Sequence, residues 1–442
     1  MKTNTDLFEK APVPKAVATM AVPTMISMLV VVIYNMADTF FVSQLGTSAS
    51  GAVGIIFSAM AIIQALAFMI GMGSGNYMTR SLGAGKRELA EQIVSIAFFT
   101  GIIMGLVITV SATFNIHRVV LLLGATETIA PYAEAYAHYI FIAAPFMICS
   151  FIMNNLLRFQ GKASFAMVGI TVGGLLNIAL DPLFIFTLDM GTAGAALATG
   201  LSQFISFCIL LWMCNHQDSC ISISIRKFRP KLAIYREVLY GGIPSLGRQG
   251  IASVATILMN FMCQPYGDAA IAAMSIVSRF MFFINSVIIG FGQGFQPVCS
   301  YCFGAGLYNR VKKACWFCIR VSTIILLVLS VISFPAARSI ITLFRRNDPT
   351  VIEIGTLALR LQLITLPLQG AVIMGNMMPQ SIGYGFRATL VSTARQGIFL
   401  IPLLTIMTYT IGLLGIQCAQ PLADIATFIL SLFVIRGIFK EF

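Results

Sequence analysis

The chain has 442 residues, 58% of them hydrophobic and only 10% charged, with a mean hydropathy of +0.90; soluble domains are roughly half apolar and a quarter charged. Such a composition excludes a solvated globular enzyme and sets most of the chain against lipid or other helices. The net charge of +12 would suggest a nucleic-acid partner in a soluble protein; here none is expected, and the question becomes on which side of a bilayer the positive residues fall.

A spanning helix needs about 20 apolar residues. Twelve such runs, ended by clusters of charge, Pro and Gly, are predicted at 16–42, 51–79, 92–114, 132–157, 163–187, 193–214, 238–263, 270–300, 314–336, 354–378, 389–409 and 415–435. The first follows Asp6, Glu9 and Lys10, exceeds a signal-peptide core and lacks a cleavage site ahead of a soluble domain, so it reads as a retained helix. Counted loop by loop, 19 basic residues share the side of both termini, among them Arg80, Lys86, Arg87, Arg158, Lys162 and the cluster Arg226 to Arg236, against 4 opposite, Arg118, Arg338, Arg345 and Arg346. The bias predicts cytoplasmic termini and an even number of spans.

The second half repeats the first at an offset of 219 to 222 residues. Pro23 answers Pro244, Gly46 answers Gly267, IGMGSG at 70–75 answers IGFGQG at 289–294, and LGAG at 82–85 answers FGAG at 303–306. Pro145, Asn154, Gly161 and Gly194 answer Pro367, Asn376, Gly383 and Gly415. Six spans per repeat make the halves enter the membrane in the same sense, related by an axis along its normal. The expected organisation is a cytoplasmic N-terminus at 1–15, an N-terminal lobe at 16–214, a basic cytoplasmic linker at 215–235, a C-terminal lobe at 236–437 and a cytoplasmic C-terminus at 438–442.

Six-plus-six architecture alone does not separate this chain from major facilitator transporters, whose second loop is rich in Asp and Arg. Here that loop reads SLGAGKRELA at 81–90, with DTFFVSQLG at 38–46, NIALDPLFIF at 177–186, GTAGAALATG at 191–200 and FGAGLYNRV at 303–311. Together these motifs resemble the multidrug and toxic compound extrusion (MATE) family, within it the bacterial DinF-like and MepA-like exporters, over about residues 15 to 437. The resemblance implies an all-α membrane protein of twelve transmembrane helices in two pseudo-symmetric six-helix bundles around a central cavity. It further implies a monomeric multidrug exporter of the bacterial cytoplasmic membrane. Such a protein exchanges H⁺ or Na⁺ for small organic, mostly cationic drugs, is not an enzyme and carries no cofactor beyond the coupling ion.

Charge inside hydrocarbon costs on the order of 2.5 to 3.5 kcal/mol, so buried ionisable groups are functional candidates. Asp38, Asp181 and Asp424 qualify. Tyr34 and Asp38 share one helix face, as do Asn177 and Asp181. Pro182 cannot donate to the carbonyl of Ile178, and Thr199 adds a hydroxyl. The resemblance places Asp38, Asn177, Asp181 and Thr199 in a cation-binding cluster with Tyr34 beside it. Two carboxylates held together with little water do not both stay ionised at low cost, which makes a proton carrier, and the same oxygens suit Na⁺. Some family members use further acids on helices seven and ten, but this chain has none at 238–267 or 354–380, so no second cation site is expected. The C-terminal lobe carries Arg248, Arg279, Arg360 and Arg395, one of which is expected to neutralise Asp424 as a structural pair. The resemblance assigns drug contacts to Met28, Tyr136 and Asn154, and methionine suits a promiscuous surface.

Two decoys stand out. Cys299, Cys302, Cys315 and Cys318 have the spacing of a zinc site, yet their counterparts are Met78, Ser81, Val94 and Ala97, which points to packing. GAGK at 83–86 lacks the first glycine and the strand of a phosphate loop. The alternatives to an exporter are a lipid-linked precursor flippase of the same superfamily and, in a different class, an intramembrane enzyme or scaffold. The three histidines, His117, His138 and His216, stand beside no partner at useful spacing for an enzyme.

Overall fold

The structure, a computed structural model, describes residues 2–216, 222–345 and 348–442. Its first half runs α1 (Lys2–Glu9), α2 (Val13–Ser43), α3 (Thr47–Gly83), α4 (Arg87–Phe114), α5 (Ile116–Leu122), α6 (Ala130–Phe159), α7 (Ala163–Pro182) and α8 (Gly191–His216), with a π-helical turn, Leu183–Thr187, closing α7. The second half runs α9 (Leu232–Cys263), α10 (Asp268–Gly304), α11 (Tyr308–Phe344), α12 (Pro349–Thr365), α13 (Gln369–Ile382), α14 (Gly385–Thr393), α15 (Leu400–Ile411) and α16 (Leu413–Phe439). A 3₁₀ turn at Leu366–Leu368 joins α12 to α13, and a π-helical turn at Ala394–Phe399 joins α14 to α15. Among the described residues there is no strand. Among the described residues eleven segments are long and apolar enough to cross a membrane. The twelfth, α9, has 32 residues but carries Arg236, Glu237 and Arg248 within it. Part of the linker read at 215–235 falls at 217–221, outside the described residues, and α9 already begins at Leu232.

The duplication is visible in the backbone. Gly46, Gly85, Gly161 and Gly191 have positive φ, and so do Gly267, Gly306, Gly383 and Gly412, their counterparts at 221 or 222 residues. Asn154 donates from Nδ2 to the carbonyl of Ala166 at 2.8 Å, and Asn376 does the same to Ala388 at 2.8 Å. Each bond fastens the end of one span to the start of the next.

Glycines set how closely the lobes approach. A Cβ on Gly73 of α3 would lie 1.9 Å from the carbonyl oxygen of Val238 on α9, and one on Gly294 of α10 would lie 2.3 Å from Cα of Ala21 on α2. Gly83 and Gly304 meet the opposite lobe as tightly, at Tyr301 and Arg80. In contrast, Gly71 faces Asn155 and Gly292 faces Met377, each within its own lobe. This packing corrects the alignment of IGMGSG with IGFGQG: Gly73 corresponds to Gly294, an offset of 221 rather than 219. Glycines two apart point to opposite faces of a helix, so a slip of two residues still matches Gly to Gly while exchanging the inside for the seam.

Polar contacts reinforce the seam. Arg158 Nη1 donates to Gln293 Oε1 at 2.7 Å, Ser300 Oγ to Asn76 Oδ1 at 2.8 Å, and Arg80 approaches Glu237 at 3.6 Å. Counted above as a loop cation, Arg158 is in fact 2% exposed, held in the last turn of α6 by Gln293 and by Asn155 Oδ1. These contacts use the early part of α2 and α9 and the late part of α3 and α10, the end of the molecule that holds both termini. Toward the other end Ile33, Met36 and Phe40 of α2 and Val254, Ile257 and Phe261 of α9 are exposed. There the apolar cluster of the C-terminal lobe includes no residue of the N-terminal one. The lobes are sealed at one end and part at the other.

Candidate functional site

Four helices of the N-terminal lobe bring their polar side chains together. Gly174 lets α2 close on α7, since a Cβ there would sit 2.9 Å from Val30 Cγ1 and 3.0 Å from Tyr34 Cδ1. Gly173 allows the close crossing of α8, where Ser206 Cβ lies 3.0 Å from the same construction. Small residues are how membrane helices approach closely without a hydrophobic drive. The consequence is that Tyr34 and Asp38 of α2, Asn177 and Asp181 of α7, Thr199 of α8 and Tyr136 of α6 share one site.

Within it Asn177 Nδ2 donates to Asp181 Oδ1 and to Thr199 Oγ1, both at 3.2 Å. Asp38 and Asp181 are close enough to feel each other's charge, and the Tyr136 hydroxyl stands beside Thr199 within the field of both. Asp181 is fully buried and Asn177 nearly so. Among the described residues, Asp38 Oδ1, Asp181 Oδ2 and Asn177 Oδ1 are buried and accept no hydrogen bond. Buried oxygens without a donor are costly; three in one place, two of them on carboxylates, suit a ligand that brings positive charge or a proton. A small cavity lined by Tyr34, Ser150, Gly173, Gly174 and Gln203 adjoins them. Asp38 does not end its helix, which continues to Ser43, so its carboxylate is displayed from helical backbone. Pro182 ends α7 next to Asp181, and the chain passes into the π-helical turn there, a local widening frequent at functional sites.

The three positions read as drug contacts are not gathered on one surface. Tyr136 is fully enclosed among the acids, and its hydroxyl also meets Met60 Sδ at 3.9 Å. Asn154 is 5% exposed and bonded to Ala166. Met28 is half-buried at the lobe seam, its Cγ 3.2 Å from a Cβ built on Gly290. Of the four candidate arginines in the other lobe, Arg395 is the one that neutralises Asp424, at 2.7 Å. Arg248 instead donates to Asn376 Oδ1 at 3.3 Å, and Arg360 lies over the Phe334 ring. The four clustered-spacing cysteines are buried on α10 and α11. Sequence reasoning missed the buried Arg158 and its partner Gln293, because a cation one turn from a Gly-Lys corner looks like a loop anchor.

The MatE family model matches residues 23–183 and again 244–406, once per lobe. The chain belongs to the MatE family. A MATE architecture of two six-helix halves is shared with a solved structure described as the outward-facing conformation of a multidrug resistance MATE family transporter of the MOP superfamily. That chain is 26% identical, with a TM-score of 0.94 and 100% of each chain covered. Among curated MATE relatives, the multidrug export protein MepA of Staphylococcus aureus strain N315 is 30% identical over 421 residues, covering 94% of this chain and 92% of its own. The protein of that name from Staphylococcus saprophyticus is 29% identical over 418 residues, covering 94% and 92%.

Proposed function

We propose that this MATE protein is a multidrug efflux transporter, a secondary antiporter that moves organic, mostly cationic compounds outward in exchange for H⁺ or Na⁺. Family membership and the export named in its relatives support the transport class. The observation that carries the coupling reading is the acid cluster, with three unpartnered buried oxygens on Asp38, Asn177 and Asp181. With both carboxylates ionised and poorly solvated, repulsion favours uptake of a proton or a cation. Loading it removes the repulsion between Asp38 of α2 and Asp181 of α7, and because α2 also packs on α10 at Gly294, occupancy of the N-terminal lobe is tied to how the lobes meet across the seam. Differential binding between two lobe arrangements is what lets a gradient drive a cargo. By the distribution of basic residues the sealed end is cytoplasmic, both termini lie there, and the cleft opens outward. We place the chain in the bacterial cytoplasmic membrane as a monomer.

The test is dye efflux from proteoliposomes by Asp38→Asn and Asp181→Asn. Each is expected to reduce gradient-driven efflux to background while the protein stays monodisperse; wild-type turnover in both variants would reject the coupling role.

A further inference from the structure

Asp424 of α16 is a fully buried carboxylate that the proposed cycle leaves without a task. It accepts hydrogen bonds from Arg395 Nε at 2.7 Å, Gln420 Nε2 at 2.9 Å, Gln369 Nε2 at 3.1 Å and Thr365 Oγ1 at 3.5 Å. Both of its oxygens are thereby satisfied, unlike those of Asp38 and Asp181. Among the described residues Arg395 is its only ion-pair partner. Arg248 of α9 is turned to Asn376, and Arg360 of α12 to Phe334.

The repeat says what stands in the same place in the other lobe. α7 and α14 begin at Ala163 and Gly385, and the bonds from Asn154 to Ala166 and from Asn376 to Ala388 fix the same spacing. On that register Arg395 takes the position of Gly173. Gly194 and Gly415 fix the register of the last helix of each lobe, so Gln420 takes the position of Thr199 and Asp424 that of Gln203. Gly173 and Gln203 line the small cavity beside the acid cluster. A Cβ on Gly173 would lie 3.3 Å from the Ser202 carbonyl oxygen, so a side chain there would head for α8 as Arg395 heads for α16.

We infer that Arg395 is a tethered cation that permanently occupies, in the C-terminal lobe, the place that the N-terminal lobe keeps open beside its exchangeable-cation site. One lobe of this chain then couples to a gradient and the other is locked neutral. The inference rests on the antiport reading and deepens it, because it sets how many coupling sites the protein has. Its physical basis is that a buried carboxylate stripped of its partner must recruit another positive charge. The Arg395→Gln and Arg395→Gly variants therefore expose Asp424 to a proton or Na⁺ from water.

Cation binding can be counted on purified protein without any transport, as protons taken up in weakly buffered solution and as radioactive Na⁺ retained at equilibrium. We expect Arg395→Gln and Arg395→Gly to take up one more cation than wild type. The double variant Arg395→Gln with Asp424→Asn should return to the wild-type count, fold normally and export dye at the wild-type rate. A count in the single variants equal to wild type overturns the inference. So does a monodisperse double variant that no longer exports, and this second outcome decides even if the single variants fail to fold. Asp38→Asn, measured alongside, should bind one cation fewer; if it does not, the antiport reading fails while the result for Arg395 stands by itself.

Discussion

Asn154 and Asn376 show how the repeat separates structure from function at single residues. Each spends its amide nitrogen on one carbonyl of the following helix, at 2.8 Å in both lobes. Each carbonyl also accepts its own helix's N–H, so losing the asparagine removes one further buried hydrogen bond, at a net cost of about 0.5 to 1.5 kcal/mol. Asn154→Ala and Asn376→Ala are therefore both expected to lower thermal stability in detergent, Asn376→Ala by more because it also removes the acceptor of Arg248, and to leave the drug profile unchanged. A change of drug preference in Asn154→Ala alone would instead restore the contact role that resemblance assigns it. The carboxylates were legible in the sequence because charge in an apolar run is costly and hence selective of position. Arg158 was not legible, because its partner Gln293 comes from the other half of the chain, and no local pattern announces a contact between residues 135 apart.

At the scale of elements, length and apolarity placed the spans, and the breaks within them needed coordinates. Pro182 and Pro367 mark where helices lose a donor; the sequence does not say that the first is followed by a π-helical turn and the second sits in a 3₁₀ turn. The glycine hexapeptide was legible as a repeat and misregistered by two residues, since alternating glycines match themselves after that shift. Packing resolves it by assigning Gly73 and Gly294 to the seam. A larger side chain there collides with backbone, which cannot swing aside, and overpacking of this kind costs about 1 to 3 kcal/mol. Gly73→Leu and Gly294→Leu are expected to pry open the end that holds the termini, seen as a longer distance between spin labels on α3 and α9, with loss of efflux. Gly54→Leu, at an exposed position of α3 where a side chain meets nothing within 4 Å, serves as control. Unchanged label distances in both seam variants would mean that the glycines do not set the lobe approach.

Over the whole molecule the two lobes share a fold and divide the chemistry. The N-terminal lobe concentrates buried acid with open oxygens, and the C-terminal lobe compensates its acid internally. This asymmetry was half visible in the sequence, where acids are absent from 238–267 and 354–380. Which arginine meets Asp424 was not, because the four candidates lie on four different spans and only the tertiary fold chooses Arg395. On the proposed antiport reading, the two-lobe form, sealed at one end and parted at the other, is one member of a pair of states whose exchange cation occupancy would bias. The most direct test is efflux of a cationic dye from proteoliposomes under a pH gradient alone, a Na⁺ gradient alone and no gradient, with Asp38→Asn in parallel. The account predicts accumulation against the dye gradient under at least one imposed ion gradient, none without it, and none in the variant; equal dye movement with no ion gradient of any kind would contradict it.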